Sequence, residues 1–389
     1  MQELLLLLLP VAAASGWLAA RRSMRKEKGR CVDETAPIYF RGLNHLLNEE
    51  PDKAIDAFVE MLEVDSDTVE THLALGYLFR RRGEVERAIR IHQNLIARPA
   101  LTREQRAQAL LELGQDYMRA GLFDRAENLF REIKETKLHV RPALKNLLVI
   151  YEKERDWQAC LEVADQLESI TGEKMRLQKS HYHCELALAA KQQGRSADAS
   201  AHLKKALATY RGCVRAIHLQ AQLAASQGDY RGAIKILRRT AEQDSDYLAE
   251  VLPEIVADYR QLGELKELRA YLQEAAAANP GAGAELAMAD VIKEQDGEVA
   301  AAAYLAEQLG REPSLTLLLR SIQLNARMPE SQSAHFLETL RPQIQRLLEQ
   351  KPVYQCTQCG FVAKTMHWQC PSCRRWSTIK RKAVCEAEP

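Results

Sequence analysis

The chain has 389 residues, of which 46% are hydrophobic and 28% are charged. Its 18 glycines and 13 prolines are too few for the frequent turns of an all-β protein, and its plentiful apolar residues exclude long disorder. Since 54 basic residues nearly balance 53 acidic ones, the composition does not favour nucleic acid as a partner.

Charge and cysteine are both distributed unevenly. Residues 21–30 hold six bases and one acid, and residues 351–389 hold seven bases and two acids, whereas residues 31–350 hold 41 bases and 49 acids. Four of the nine cysteines cluster near the C-terminus, and most of the others stand alone. An odd number with isolated members argues against a disulfide framework and favours a reducing compartment.

The first predicted element is an apolar segment at 4–20, which contains no charged residue. As a helix these 17 residues would span roughly 26 Å, slightly less than a hydrocarbon core of about 30 Å. The bases follow the segment, so the positive-inside rule places the N-terminus outside and the body in the cytoplasm. We predict a transmembrane anchor at 1–20 and a basic linker at 21–35. A cleaved signal peptide or a buried helix are the alternatives.

A repeated pattern begins at about residue 36. The stretches that start at Gly76 and Gly114 each place an aromatic residue, a second glycine and an alanine in the same order. One position of the pattern recurs at nearly even spacing, as Ala54, Ala88, Ala126, Cys160, Ala199, Ala233, Leu268 and Ala302. The period is about 34 residues, with longer intervals where turns carry insertions, and it is typical of the tetratricopeptide repeat, a pair of antiparallel helices.

The repeats predict an all-α superhelix over 36–312, followed by capping helices over 313–350. Stacked helix pairs form grooves that bind other proteins. The sequence carries no phosphate-binding loop, nucleophile elbow or zinc-protease motif, so we predict a protein that is not an enzyme. His181 and His183 flank Tyr182 just before Cys184, and we interpret these histidines and the cysteine as packing residues.

The strongest local motif is a pair of C-x-x-C sequences in the segment 351–389, formed by Cys356 with Cys359 and Cys370 with Cys373. Two such pairs supply the four thiolates of a tetrahedral site for zinc or a single iron. His367 lies between the pairs as a possible substitute ligand. The predicted fold is a rubredoxin-like or zinc-ribbon lobe.

Aromatic and basic residues surround this motif. Four aromatic residues are available to form a small internal core, namely Tyr354, Phe361, Trp368 and Trp376. Four thiolates on a divalent ion carry a formal charge of −2, which Lys364, Arg374 and Arg375 can offset. We interpret Cys385 as a free thiol.

An apolar start MQELLLLLLPVAAASGW, repeats containing GEVERAIRIHQNL and GLFDRAENLF, and the ending CTQCGF…HWQCPSCRRWSTIK occur here in one order. In this combination the chain closely resembles the lipopolysaccharide assembly protein B family over essentially its full length. It departs from rubredoxin itself at Arg374, where rubredoxins usually have glycine.

The resemblance implies a single-pass protein of the bacterial inner membrane, with a periplasmic N-terminus and with cytoplasmic repeats and C-terminus. It implies an adaptor that acts with a membrane-bound AAA+ zinc protease to promote degradation of the lipid A pathway deacetylase, opposed by an inner-membrane anti-adaptor. It also maps the family's metal ligands, for iron or zinc, onto Cys356, Cys359, Cys370 and Cys373.

Two other functions stay open. One is a scaffold that couples lipopolysaccharide synthesis to its export machinery. The other is a rubredoxin-like electron carrier tethered to the membrane by the rest of the chain.

Overall fold

A computed structural model describes residues 40–45, 48, 50, 53–55, 57, 69–99, 101–278, 283–311, 314–325, 334–350 and 352–381. The predicted anchor and basic linker lie outside these residues. No helix within the described ranges is long and apolar enough to cross a membrane. The predicted domain boundaries stay predictions.

The chain divides into two compact units, and the first runs from Met1 to Glu173. Its described helices are α1 (Val69–Arg82), α2 (Val85–Ile96), α3 (Arg103–Ala120), α4 (Phe123–Thr136), α5 (Val140–Glu154) and α6 (Trp157–Thr171). Each helix packs on the next one in the chain through α6. The first helices of successive repeats, α1 with α3 and α3 with α5, also touch.

The second unit runs from Lys174 to Pro389. Its described helices are α7 (Arg176–Gln192), α8 (Ser196–Thr209), α9 (Val214–Ser226), α10 (Tyr230–Gln243), α11 (Leu248–Leu262), α12 (Leu265–Ala278), α13 (Ala284–Asp296), α14 (Glu298–Arg311), α15 (Leu315–Asn325) and α16 (Ala334–Gln350). A 3-10 turn at Ser245–Tyr247 precedes α11. Three short strands follow the last helix, so the fold is a helical repeat array with a small C-terminal strand domain.

Local sequence explains where the repeat helices begin and end. Thr102 starts α3 with a capping box, in which its hydroxyl accepts from the Gln105 amide and the Gln105 side chain accepts from the Thr102 amide. Gly121 ends the helix at φ 78°, a left-handed conformation that costs glycine little. A Cβ on Gly114 would lie 2.6 Å from the Phe130 ring, so the early glycine of the repeat lets two helices pack closely.

The recurring small position lies where the helices of a pair meet. The residues that occupy it from Ala54 to Leu268 are all 0–1% exposed. In the last repeat the prediction was wrong by one residue, because Ala301 is fully buried and Ala302 is only partly buried. The interval between Leu268 and the buried alanine is therefore one residue shorter than the pattern predicts.

The interior of the first unit contains a buried polar network. The Arg80 guanidinium donates to Glu112 Oε2 at 2.5 Å and to Asp116 Oδ1 at 2.8 Å. The other oxygen of Asp116 lies 2.5 Å from His92 Nδ1, and both side chains are fully buried. Since a buried carboxylate is stable only when paired and hydrogen-bonded, this network fixes α1, α2 and α3 against one another.

Candidate metal centre and its contact with the repeats

The C-terminal lobe is a three-stranded antiparallel sheet in the order β2-β1-β3. The strands are β1 (Tyr354–Cys356), β2 (Val362–Ala363) and β3 (Ile379–Arg381). Tyr354 pairs with Ala363 on one side and with Arg381 on the other. The sheet is short, so its hydrogen bonds alone cannot hold the lobe together.

The structure brings the four predicted cysteines together. All four sulfurs lie within 4.8 Å of one another, and they form the one cluster of three or more candidate ligands among the described residues. The sulfurs of Cys356 and Cys373 are 3.7 Å apart, as are those of Cys359 and Cys370. A tetrahedral ion with bonds of about 2.3 Å to sulfur requires sulfurs about 3.8 Å apart. The donor set therefore fits one zinc or iron ion.

Each C-x-x-C pair forms a tight turn whose last residue has positive φ. In the first turn the Gly360 amide donates to the Cys356 carbonyl at 3.0 Å, with φ at 74°. In the second turn the Arg374 amide donates to the Cys370 carbonyl at 2.8 Å, with φ at 58°. The departure from rubredoxin at Arg374 thus leaves the turn intact but places a side chain in a left-handed conformation.

Hydrogen bonds around the first pair favour thiolates. Burial opposes ionisation of Cys356, but the Thr378 hydroxyl and the amides of Cys359 and Gln358 lower its pKa to about 6. The Phe361 amide lowers the pKa of Cys359. Burial instead raises the pKa of Cys370 to about 11. Metal binding must therefore displace a proton there, which makes metal affinity depend on pH.

The other candidate residues of the lobe have different surroundings. His367 is not among the clustered ligands, and its Nε2 lies 3.3 Å from the Thr365 hydroxyl. Lys364 is exposed, and Arg375 donates to the Gln358 side chain. Cys385 lies outside the described residues. The assignment of the four cysteines as the metal ligands stays a prediction that this geometry fits.

The aromatic core that the sequence predicted is only partly correct. The buried centre of the lobe is formed by Cys356, Cys370 and Ile379, and Tyr354 and Phe361 pack against it. The two tryptophans do not join this centre. They contact repeat helices of the second unit instead, because a lobe of about 30 residues has too little interior for two indoles.

Trp376 forms one half of that contact. Its ring stacks on the ring of His181 in α7, with centroids 4.6 Å apart and planes 17° from parallel. Tyr182 meets the same indole edge-on at 6.1 Å. The neighbouring Ser377 hydroxyl lies 2.8 Å from His181 Nε2. His181 and Tyr182 are both fully buried, so they are packing residues, as predicted for His181, but their partner is the metal lobe.

The other half of the contact lies at the start of α11. Trp368 stacks on Tyr247 with centroids 5.4 Å apart. The Lys380 ammonium pairs with Asp244 and lies 3.1 Å from Asp246.

Another polar bond ties β1 to α11. The Tyr354 hydroxyl donates to Glu250 at 2.7 Å. Burial, together with this hydrogen bond, raises the pKa of Tyr354 to about 12. The lobe is thus held by stacked rings at its centre and by polar bonds at its margin.

Arg215 of α9 completes the contact surface on the repeats. Its guanidinium lies 5.9 Å from the Trp368 ring centroid and 5.8 Å from that of Trp376, and it pairs with Glu185 at 2.8 Å. Burial, with Arg215 nearby, lowers the pKa of His181 to about 3, so this histidine is neutral. We name the surface formed by His181, Arg215, Asp244, Tyr247 and Glu250 the ribbon seat.

Sequence reasoning missed the ribbon seat, although one signal was present. His181 and Arg215 are separated by the same length of chain as Ala199 and Ala233, so they occupy the same position of two successive repeats. A histidine and an arginine at one position on neighbouring helices predict a shared surface. No pattern in the sequence indicated that the chain's own C-terminus covers it.

Comparison with known proteins identifies both the metal lobe and the helical repeats. Residues 354–381 match a family described as "Rubredoxin metal binding domain", and residues 184–247 and 71–107 match tetratricopeptide repeat families. Lipopolysaccharide assembly protein B of Escherichia coli K12 is 42% identical to this chain over 98% of both chains. The chain belongs to the lipopolysaccharide assembly protein B family. The Haemophilus influenzae member is 37% identical, again over 98% of each chain.

Solved structures give weaker matches. A tetratricopeptide repeat protein from Parabacteroides merdae covers 75% of this chain, and the match spans 98% of that protein, at 11% identity and a TM-score of 0.36. The Naa15/Naa10 complex bound to HypK-THB matches 82% of this chain and 52% of its own, at 13% identity and a TM-score of 0.43.

Proposed function

We propose that this protein is a non-catalytic adaptor, tethered to the inner membrane, that limits lipopolysaccharide synthesis. In this role it promotes proteolysis of the lipid A pathway deacetylase by a membrane-bound AAA+ protease, and an inner-membrane anti-adaptor opposes it. The observation that carries the proposal is membership of the lipopolysaccharide assembly protein B family along 98% of the chain. The repeats supply protein-binding surface, and the segment 4–20 supplies the tether.

The arrangement of the second unit supports an adaptor. The metal lobe is seated on the repeats through His181, Tyr247 and Arg215, so the two parts of this unit form one continuous surface. A partner that touches both would gain from two linked contacts, which can raise apparent affinity by roughly 10²–10⁴. The membrane tether would add a further gain in local concentration near a protease in the same membrane.

We also propose that Cys356, Cys359, Cys370 and Cys373 hold one zinc or iron ion. A closed shell of four thiolates has no open position for substrate, so the ion would supply structure rather than hydrolytic chemistry. The lobe, with three short strands, depends on such a cross-link for its fold.

The adaptor proposal is tested by the half-life of the deacetylase in cells. Deletion of the gene, removal of residues 1–20, or the pair Cys356→Ser and Cys359→Ser should each lengthen that half-life and raise lipopolysaccharide. The variant Cys385→Ser is the matched control and should leave both unchanged. If deletion leaves the half-life unchanged, the adaptor proposal fails, and a scaffold for the export machinery becomes the better explanation.

One observation favours the electron carrier as a second candidate. Cys359 is exposed, so a redox-active ion would lie close to solvent and to a partner. Replacement of iron by redox-silent zinc in cells separates the two functions. An adaptor keeps its effect on the deacetylase with either metal, whereas an electron carrier loses its function with zinc.

A further inference from the structure

A cleft of about 420 Å³ opens between α1 and α3 in the first unit, away from the metal lobe in sequence. It is lined by Tyr77, Arg80 and Arg81 from α1 and by Gln115, Met118 and Arg119 from α3. Tyr77 is 43% exposed, although it is a large apolar side chain. The cleft therefore combines an accessible aromatic ring, a thioether and three guanidinium groups.

The three arginines of the cleft are not equivalent. Arg80 is neutralised by Glu112 and Asp116, and its guanidinium lies 5.4 Å from the centroid of the Tyr77 ring. Arg81 and Arg119 are exposed. Within the part of the chain that the structure describes, no carboxylate lies within ion-pair distance of either residue. The cleft thus presents two uncompensated positive charges beside a fixed aromatic ring.

The two charges occupy one position of the repeat. Arg81 and Arg119 are each the second-to-last residue of their helix, and a left-handed glycine follows the helix end in both cases. Lys153 is the second-to-last residue of α5, the matching helix of the next repeat. It is exposed, and its ammonium lies 4.5 Å from the centroid of the Phe123 ring. We name Arg81, Arg119 and Lys153 the basic ladder.

The ladder is a property of the first unit rather than of the repeat. In the second unit the residues that stand two positions before the matching left-handed glycines are Gln192, Ser226 and Gln261. None of the three is charged, and the Ser226 hydroxyl donates to the Leu223 carbonyl of its own helix at 2.7 Å. The repeat fold therefore does not require a positive charge at this position.

We propose that this cleft binds an extended, acidic segment of a partner protein. Arg81 and Arg119 pair with carboxylates, the Gln115 amide bonds to the peptide backbone, and Tyr77 and Met118 contact an apolar side chain. Neighbouring packed helices lie about 8–10 Å apart. Side chains three residues apart in a polyproline II segment lie on one side at about 9 Å. Acidic residues spaced three apart therefore match the ladder.

A peptide suits this surface better than nucleic acid does. Nucleic-acid binding draws its affinity from many phosphate contacts, commonly about 6–10, whereas the ladder has three cations. The body of the chain is also acidic, with 49 acids against 41 bases over 31–350. The exposed tyrosine and methionine add apolar contact that a peptide side chain can use.

The test uses the full chain in detergent and a fluorescein-labelled eight-residue peptide. The peptide has glutamate at positions 2 and 5 and leucine at position 4, and its matched control has glutamine at both acidic positions. Fluorescence anisotropy should show tighter binding of the acidic peptide, and the difference should shrink as salt rises. The double variant Arg81→Glu with Arg119→Glu should weaken binding by about tenfold or more.

Arg103→Glu is the control variant, because it makes the same charge change as each single member of the pair, but at the other end of α3. It should leave peptide binding unchanged, and circular dichroism should show that every variant is folded. Equal binding of the two peptides, or equal affinity in the double variant and the control, overturns the proposal. Tighter binding of a labelled oligonucleotide with the same arginine dependence also overturns it.

The biological meaning of this site rests on the proposed adaptor function, but the two can fail separately. If deletion of the gene lengthens the deacetylase half-life while the acidic peptide does not bind, the cleft inference fails and the adaptor proposal stands. If the peptide binds as expected while deletion has no effect on the half-life, the adaptor proposal fails and the cleft remains a binding site.

Discussion

The two units use one repeat to build two different surfaces. In the first unit, the cleft beside Tyr77 is open and carries the exposed cations Arg81 and Arg119. In the second unit, the ribbon seat around His181 and Tyr247 is covered by the metal lobe. The fold of a helix pair leaves its surface positions free to vary, so neighbouring repeats can carry unrelated recognition chemistry.

The two surfaces also differ in how their charges are balanced. The Arg80 network under the open cleft is built from ion pairs between helices α1 and α3, and it leaves Arg81 and Arg119 exposed. At the ribbon seat, Arg215 is balanced by Glu185 and covered by two indoles. An open surface with unbalanced charge is suited to an exchanging partner, whereas a balanced and covered one is suited to a permanent contact.

Loss of the metal should have the largest effect on the difference between the two surfaces. Cys356→Ser with Cys359→Ser removes two thiolates, and a structural zinc contributes on the order of 10–16 kcal/mol of apparent binding energy in small domains. The lobe should unfold and uncover the ribbon seat. The metal content measured by elemental analysis should fall from one ion per chain to none. The fluorescence emission of Trp368 and Trp376 should shift to the red. Cys385→Ser should change neither measurement.

Loss of the network under the open cleft should have the next largest effect. Asp116→Ala leaves His92 unpaired and removes one of two carboxylates from Arg80, which should cost about 3–5 kcal/mol of folding free energy. Urea unfolding followed by hydrogen exchange of the α3 amides measures the first unit.

The matched control for this network is Glu86→Ala, which removes an exposed carboxylate from α2. It should change the unfolding free energy by less than about 0.5 kcal/mol. Equal midpoints for the two variants would show that the buried network does not stabilise the first unit.

Lowering the pH should gradually weaken docking of the metal lobe on the ribbon seat. The pKa of His181 is about 3 when the lobe is docked, against an ordinary value of 6.5, so the released form takes up a proton that the docked form excludes. Docking is therefore strongest above about pH 6.5 and should weaken by about tenfold for each pH unit below it. Hydrogen exchange in the lobe between pH 7.5 and 5.5 measures this, with metal content checked at each pH.

His181→Gln removes the titrating group but keeps a polar atom near Ser377, so it should flatten the pH dependence. His367→Gln changes a histidine of the lobe that is not stacked on the repeats and should leave the dependence in place. If docking of the His181→Gln variant still weakens with falling pH, the pH dependence comes from the metal ligands instead.

The smallest expected effect comes from stabilising the metal lobe that covers the ribbon seat. Arg374→Gly relieves the positive φ of 58° in the second turn and should stabilise the lobe by about 1 kcal/mol. Gly360→Ala introduces a side chain at φ 74° in the first turn and should destabilise it by a similar amount. Competition with a chelator measures both as changes in metal retention, and opposite signs are expected.

Much of the architecture follows from local sequence. The repeat period predicted the helix pairs, because a small side chain is needed wherever two helices approach closely. The paired C-x-x-C motif predicted the cluster of four sulfurs, because two residues between cysteines allow both to face one point. The error at Ala302 arose where the repeat pattern weakens. A turn that is one residue shorter cannot be recognised there, because the motif residues that would reveal the change in spacing are missing.

Residues close together in the chain were enough to specify the repeat array, the sulfur cluster and the basic and acidic segments. Only the tertiary structure decided that Trp376 stacks on His181 and Trp368 on Tyr247, because these contacts join residues that lie far apart in the chain. It also decided that Arg80 is neutralised while Arg81, its neighbour, is not. Adjacent residues of a helix point about 100° apart, and only packing determines which direction meets a carboxylate.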